Sequence, residues 1–217
     1  MTATARRRLE NEALEATFDG QISLDFGNVI EVSIGQFYGI EINDFAVTVA
    51  KTALWIAESQ MMKETENIIH MNLDFLPLKS YANIVEANAL RIDWETVVPK
   101  DKLNYIMGNP PFVGYSLQSP EQKQDILSIY VDEKGKPYKT AGKVDYVACW
   151  YFKAYKYIGD TNIRVAFVST NSITQGEQVS AVWKPLYERF NIHIDFAHRT
   201  FCWDSEASLK AHVHCVI

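Results

Sequence analysis

The chain has 217 residues, 47% hydrophobic and 12% aromatic, room for one generous domain or one domain with an appendage, and global disorder is excluded. No apolar run approaches the roughly 18 residues of a membrane helix, and the arginines of positions 6–8 precede no apolar stretch of a secretory signal. Acidic residues outnumber basic ones 27 to 21, and the net charge of -6 argues against a free-standing nucleic-acid binder.

In chain order, Arg6 to Ala16 reads as a helix ended by Asp19-Gly20. Short alternations in Ile22–Phe26 and Val29–Ile34 fit a hairpin insertion. Phe37 to Ile42 (FYGIEI) is a short strand. Asn43 or Asp44 then caps a helix over Phe45 to about Met62, with Phe45, Val49, Ala53 and Ile56 on one face. Ile84–Leu90 and Tyr105–Gly108 are further strands. Ser119-Pro120-Glu121-Gln122 starts a helix to about Tyr130: a serine cap, proline at the first position and glutamine reaching back.

Asp132 to Gly142 is a polar loop, and Asp145 to Ile158 a helix stopped by Gly159. Arg164–Thr170 is a buried strand, and Glu177–Phe190 a helix broken near Pro185. Ile192–His198 and Ala211–Ile217 are the last strands. Alternating strands and helices give an α/β sheet, mostly parallel, which binds ligands at the carboxyl ends of its strands.

Three strand ends carry polar residues: Glu41, Asn88 and Asn109. The segment Asn109-Pro110-Pro111-Phe112 joins an amide, two residues without N–H groups and an aromatic ring. Prolines fix φ near −65° and donate nothing, so with the Asn109 oxygen the turn presents acceptors in a rigid array. Such acceptors suit an exocyclic amine on a heterocycle. Taking both its hydrogens localises the nitrogen lone pair, while Phe112 offers a stacking face. The plain alternative is a rigid turn with Phe112 in the core.

NPPF after a strand resembles the catalytic tetrapeptide of S-adenosylmethionine-dependent methyltransferases acting on adenine N6. FYGIEIN resembles their second-strand motif, and Asn88-Ala89-Leu90 the third-strand motif near the cofactor adenine. Asp145-Tyr146-Val147 through Lys153-Ala154, Phe167 to Ile173 and Phe196 to Phe201 look like the later blocks. The set is similar to large bacterial restriction–modification enzymes in which nuclease, methyltransferase and target-recognition segments share one polypeptide. The match runs from about Phe37 to Ile217.

The resemblance implies an incomplete Rossmann-like class I methyltransferase fold and methyl transfer from S-adenosylmethionine to N6 of a flipped adenine in DNA. Asn109 and the Pro110 carbonyl would hold the amine, within a catalytic set of Asn109, Pro110, Pro111 and Phe112. Phe112 and Phe201 would stack on the base, with Trp203 the second choice to Phe201. Glu41 would hold the cofactor ribose, with Ile42, Asn88, Ala89 and Leu90 also at the cofactor. Glu41 as a cap on the following helix, and Asn88 as a turn residue, are the plain readings.

A first strand with a glycine-rich cofactor turn is absent. Residues 1–217 are therefore expected to be a partial catalytic domain, inactive alone, with target recognition and double-stranded DNA contact made by segments outside the chain. Three scattered cysteines (Cys149, Cys202, Cys215) fit neither a disulfide framework nor a zinc knuckle, and a cytoplasmic location is expected. His212 and His214 share a strand face, but no third ligand joins them at metal spacing; they are read as structural, with His193 and His198, and no metal is expected. The competing readings are a non-catalytic scaffold of the same fold, and a methyltransferase of a protein amide or RNA amine.

Overall fold

The computed structural model describes residues 8–13, 31–70, 83–190, 192–197, 201–202 and 210–215. It forms two compact units, Met1–Asp93 and Trp94–Ile217. The fold is mixed α/β, as expected.

In the first unit, residues 8–13 form helix α1, followed by a 3₁₀ turn Ile34–Gln36, strand β1 (Tyr38–Glu41), helix α2 (Asp44–Ile69) and strand β2 (Asn83–Glu86). β1 and β2 pair in parallel, Tyr38 with Asn83 through Glu41 with Glu86. Asn43 caps α2, its side chain accepting from the Ala46 N–H at 2.9 Å. Thr65 bonds Asn11 of α1 at 2.7 Å across a buried contact.

Three expectations change here. α2 runs seven residues past Met62, because Met61, Thr65 and Ile69 at four-residue spacing continue a buried stripe. Its predicted apolar face instead lies open: Phe45, Val49 and Ile56 are exposed. The expected alternation over Val29–Ile34 gives way, over residues 31–34, to irregular chain entering the 3₁₀ turn; Ile22–Phe26 lies outside the described residues.

The second unit contains β3 (Tyr105–Gly108), α3 (Pro120–Ile129), α4 (Ala148–Ile158), β4 (Arg164–Thr170), α5 (Gly176–Gln178), a π turn (Val179–Trp183), α6 (Lys184–Phe190), β5 (Phe196–Ala197), β6 (Phe201–Cys202) and β7 (Lys210–Cys215). The strand order is β3-β4-β7-β5, with β6 also on β7. β3 and β4 are parallel, whereas β7 is antiparallel to β4, β5 and β6. This sheet is therefore mixed rather than mostly parallel. The connection over residues 203–209 is too short for a crossover, so β7 must return antiparallel to β6.

Local signals set several of these bounds. At α3 the predicted capping box is complete: Gln122 N–H donates to Ser119 Oγ at 3.2 Å, Ser119 N–H to Gln122 Oε1 at 2.9 Å, and Pro120 opens the helix. Gly159 ends α4 at φ +52°, a conformation natural to glycine. α4 starts three residues after the expected Asp145, since the Asp145 carboxylate is turned into the protein. The break foreseen near Pro185 is the π turn before α6.

The core of this unit joins α4 to one face of β4. Val165, Phe167 and Ser169 alternate inward. Tyr151 stands edge-on to both Phe167 (5.2 Å) and Trp183 (5.3 Å). Buried Trp94 meets Tyr157 edge-on, while Asp93 is exposed.

Candidate active site

Strand register sets the position of the proline turn. Gly108, the last residue of β3, pairs with Phe167 of the parallel β4, so Asn109 leaves the sheet at its carboxyl edge. A Cβ at Gly108 would stand 3.1 Å from Phe167 Cε1; glycine allows this close approach. Pro110 is buried and anchors the turn, Asn109 and Pro111 are exposed, and Phe112 is half-buried. Among the described residues neither the Asn109 side chain nor the Pro110 carbonyl takes a hydrogen bond. Both acceptors are thus available. Pro111 differs, since its carbonyl accepts the Val113 N–H at 3.2 Å.

The segment after the turn is laced to residues 143–146. Tyr146 N–H donates to the Val113 carbonyl at 2.9 Å, Tyr115 N–H to Asp145 Oδ1 at 3.0 Å, and Gln118 Nε2 to the Val144 carbonyl at 2.9 Å. Ser172 donates to the other Asp145 oxygen and meets Thr170 Oγ1 at 2.7 Å. Gln178 closes the set from α5, donating to the Lys143 carbonyl at 2.7 Å and to Asp145 Oδ1 at 3.3 Å. In the sequence Asp145 stands out as the start of a helix and of a block resembling the methyltransferase family, and neither feature indicates these bonds. Its signal was faint: an acid beside a helix start is ordinarily a solvated cap.

Tyr146 is held again from α3, its hydroxyl donating to Asp125 at 2.8 Å. Cys149, one turn further, is no nucleophile. Burial pushes its thiol far above the ordinary range, with the Asp125 charge adding to the effect and Lys156 opposing it.

Phe201 is placed by register alone. β6 pairs Phe201 with Ala211, and β7 pairs Ala211 with Thr170, so its backbone shares the row at the carboxyl end of β4. Trp203 and His198 lie outside the described residues.

In the first unit, Glu41 and Asn88 share one end of the β1–β2 pair. One Glu41 oxygen accepts the Asn43 N–H at 3.0 Å; the other takes no hydrogen bond among the described residues. The helix cap is Asn43, not Glu41. Asn88 stands two residues beyond β2 rather than inside a strand, and its Oδ1 accepts the Leu90 N–H at 2.9 Å. It is a turn residue whose amide NH₂ donates to nothing among the described residues. Ile42 is exposed, Ala89 half-buried and Leu90 buried.

Comparison with known proteins extends over nearly all the chain. Residues 2–217 match the family model of the MmeI DNA-methyltransferase domain. DNA methyltransferase A of Bacillus subtilis (strain 168) is 46% identical over 192 residues, 87% of this chain and 21% of that protein. The solved structure of the Type IIL restriction–modification enzyme MmeI in complex with DNA superposes with a TM-score of 0.83 at 47% identity, over 99% of this chain and 28% of that one. The chain thus spans between a fifth and a third of the length of these relatives. It belongs to the MmeI DNA-methyltransferase domain family.

Proposed function

We propose that this chain forms the catalytic part of an adenine-specific DNA methyltransferase in a restriction–modification system, on a Rossmann-like class I scaffold. The observation that carries the reading is the turn at the end of β3, where Asn109 Oδ1 and the Pro110 carbonyl are, among the described residues, unengaged acceptors beside a half-buried aromatic ring. A target adenine leaves the duplex before reaction, because its amine is otherwise engaged in pairing. Asn109 and Pro110 accept its two N–H groups. The nitrogen lone pair, no longer shared fully with the ring, would then be free to attack a sulfonium methyl group, the C–S bond breaking as the C–N bond forms and one amine proton leaving to water. No charged base is required at this step. Phe112, and Phe201 from the row of Thr170, support the ring faces.

S-adenosylmethionine suits the polar groups of the first unit and would supply, when bound, a methyl group on a sulfonium. Among the described residues Glu41 keeps one unengaged carboxylate oxygen, which suits a ribose diol, and the Asn88 amide N–H groups are unengaged near Ala89 and Leu90. At -6, the chain leaves neutralisation of DNA phosphates to basic residues elsewhere in the protein.

The test uses the full-length product of the gene, with double-stranded DNA and labelled S-adenosylmethionine. Mass spectrometry of the digested DNA is expected to find N6-methyladenine. Asn109→Ala is expected to lower kcat by roughly 10²–10³, the usual cost of removing a preorganised polar contact to the reacting centre. Its thermal midpoint should be unchanged, because the side chain makes no hydrogen bond among the described residues. Label in glutamine-containing peptides and not in DNA would overturn the choice of substrate.

A further inference from the structure

We infer that Asp145 is a positioning residue that fixes the Asn109–Phe112 turn from behind. Its effect on catalysis rests on the methyl-transfer reading; its structural role does not. A buried carboxylate persists where donors satisfy it, and Asp145 is only 6% exposed. Its side-chain donors are all neutral and come from three separate segments: the Tyr115 N–H after the turn, Ser172 after β4, and Gln178 of α5. The backbone beside it adds two more ties. Asp145 N–H donates to Gln178 Oε1 at 3.2 Å, and Tyr146 N–H to the Val113 carbonyl at 2.9 Å.

The geometry explains why such an anchor is required. β3 is four residues long, and the turn that follows has two residues with no N–H to bond anything. Its front end is held by the sheet through Gly108. Its rear end, Val113 to Tyr115, belongs to no strand and to no helix of more than one turn. The ties at Val113 and Tyr115 therefore set the angle at which the turn presents Asn109, Pro110 and Phe112. Through Ser172 the same carboxylate is coupled to Thr170, the last residue of β4, so the exits of the two parallel strands are braced against each other. Asp145 touches none of the acceptors offered to the amine, and acts through the loop.

Two substitutions separate anchoring from mere burial. Asp145→Asn keeps an oxygen for the Tyr115 N–H and turns an NH₂ toward Ser172, whose hydroxyl can reorient to donate to Thr170. Asp145→Ala removes every side-chain tie. Amide hydrogen exchange at Tyr115, measured on this chain without DNA or cofactor, reads the anchor directly. Methyl transfer by the full-length gene product reads its consequence.

Asp145→Ala is expected to speed Tyr115 exchange at least tenfold and to lower kcat at least tenfold, with KM for S-adenosylmethionine within twofold of the parent. Asp145→Asn should restore both exchange and kcat to within about threefold. Ser172→Ala, which strips one donor only, should give a smaller change of the same sign, and it serves if Asp145→Ala does not fold. Tyr115 exchange unchanged in a folded Asp145→Ala or Ser172→Ala protein would overturn the proposal. So would faster exchange with kcat intact, or Asp145→Asn with normal exchange but the full kcat loss of Asp145→Ala. A parent protein with no methyl transfer would sink the function above, and the exchange measurement would still decide the anchoring.

Discussion

Tyr130→Phe isolates one hydroxyl that bonds a carbonyl in the helical turn preceding Pro185, fifty-five residues further along the chain. Pro185 has no N–H, so the Ala181 carbonyl four residues back cannot take the bond an α-helix would give it. The Tyr130 hydroxyl, on a ring only 1% exposed, donates to that carbonyl at 2.6 Å and lies 2.8 Å from Thr140 Oγ1. Phenylalanine keeps the ring contacts with Tyr138 and Phe152, both at 4.7 Å. What is lost is the hydroxyl, leaving a buried acceptor unpaid at about 1–3 kcal/mol. With a urea slope of about 2 kcal/mol per molar, the midpoint should fall by roughly 1 M. Urea titration followed by tryptophan fluorescence measures this. Adding Pro185→Ala returns an N–H to position 185, and in the Tyr130→Phe background it should recover about 1 kcal/mol more than in the parent. A midpoint within about 0.2 M of the parent, equivalent to the noise of neutral surface changes, or a double variant weaker than Tyr130→Phe, would refute the reasoning.

Two further outcomes follow from the same core. Gly108→Ala places a methyl group 3.1 Å from the buried Phe167 ring, which rests edge-on against Tyr151; overpacking of about 1–3 kcal/mol is expected and should appear as a lowered thermal midpoint. Stability should also fall on the alkaline side. Burial raises the Cys149 thiol and the Tyr130 phenol, so the folded state keeps protons that the unfolded chain releases above about 8.5 and 10. The unfolded state then binds fewer protons, and this contribution, complete below pH 8.5, is lost as pH rises further, at up to about 1.4 kcal/mol per unit for the thiol. Urea midpoints between pH 8 and 9.5 should decline in the parent and decline less in Cys149→Ala; equal slopes would show that the thiol is not the cause.

Much of the second unit was legible because its signals are local. Tyr105–Gly108 and Arg164–Thr170 are short apolar runs with clear polar stops, and Ser119-Pro120-Glu121-Gln122 specifies its helix start through bonds within four residues. The unread features depend on partners far along the chain. Nothing near Phe45, Val49 and Ile56 says that their stripe faces outward, while Thr65 is buried by a bond to Asn11 fifty-four positions earlier. The direction of β7 depends on its pairing with β6 and β4, not on its own alternation. Asp145 likewise has donors from residues 115, 172 and 178, so its role exists only in three dimensions.

The prolines show how one local rule leads to different ends. A proline always withholds a donor, and the consequence depends on what becomes of the acceptors around it. At Pro185 the N–H that an α-helix would offer the Ala181 carbonyl is missing, and the Tyr130 hydroxyl donates to that carbonyl. At Pro110 and Pro111 the chain has emerged from the sheet. The Pro110 carbonyl and the Asn109 amide oxygen remain unengaged among the described residues, while the loop behind them is tied down by Tyr146, Asp145 and Gln118. A turn needed only for reversal gains nothing from being held so firmly while its acceptors stay open. Under the proposed function, rigid support behind a row of open acceptors suits recognition of an N–H₂ group, since the acceptors are ordered in folding and not at binding.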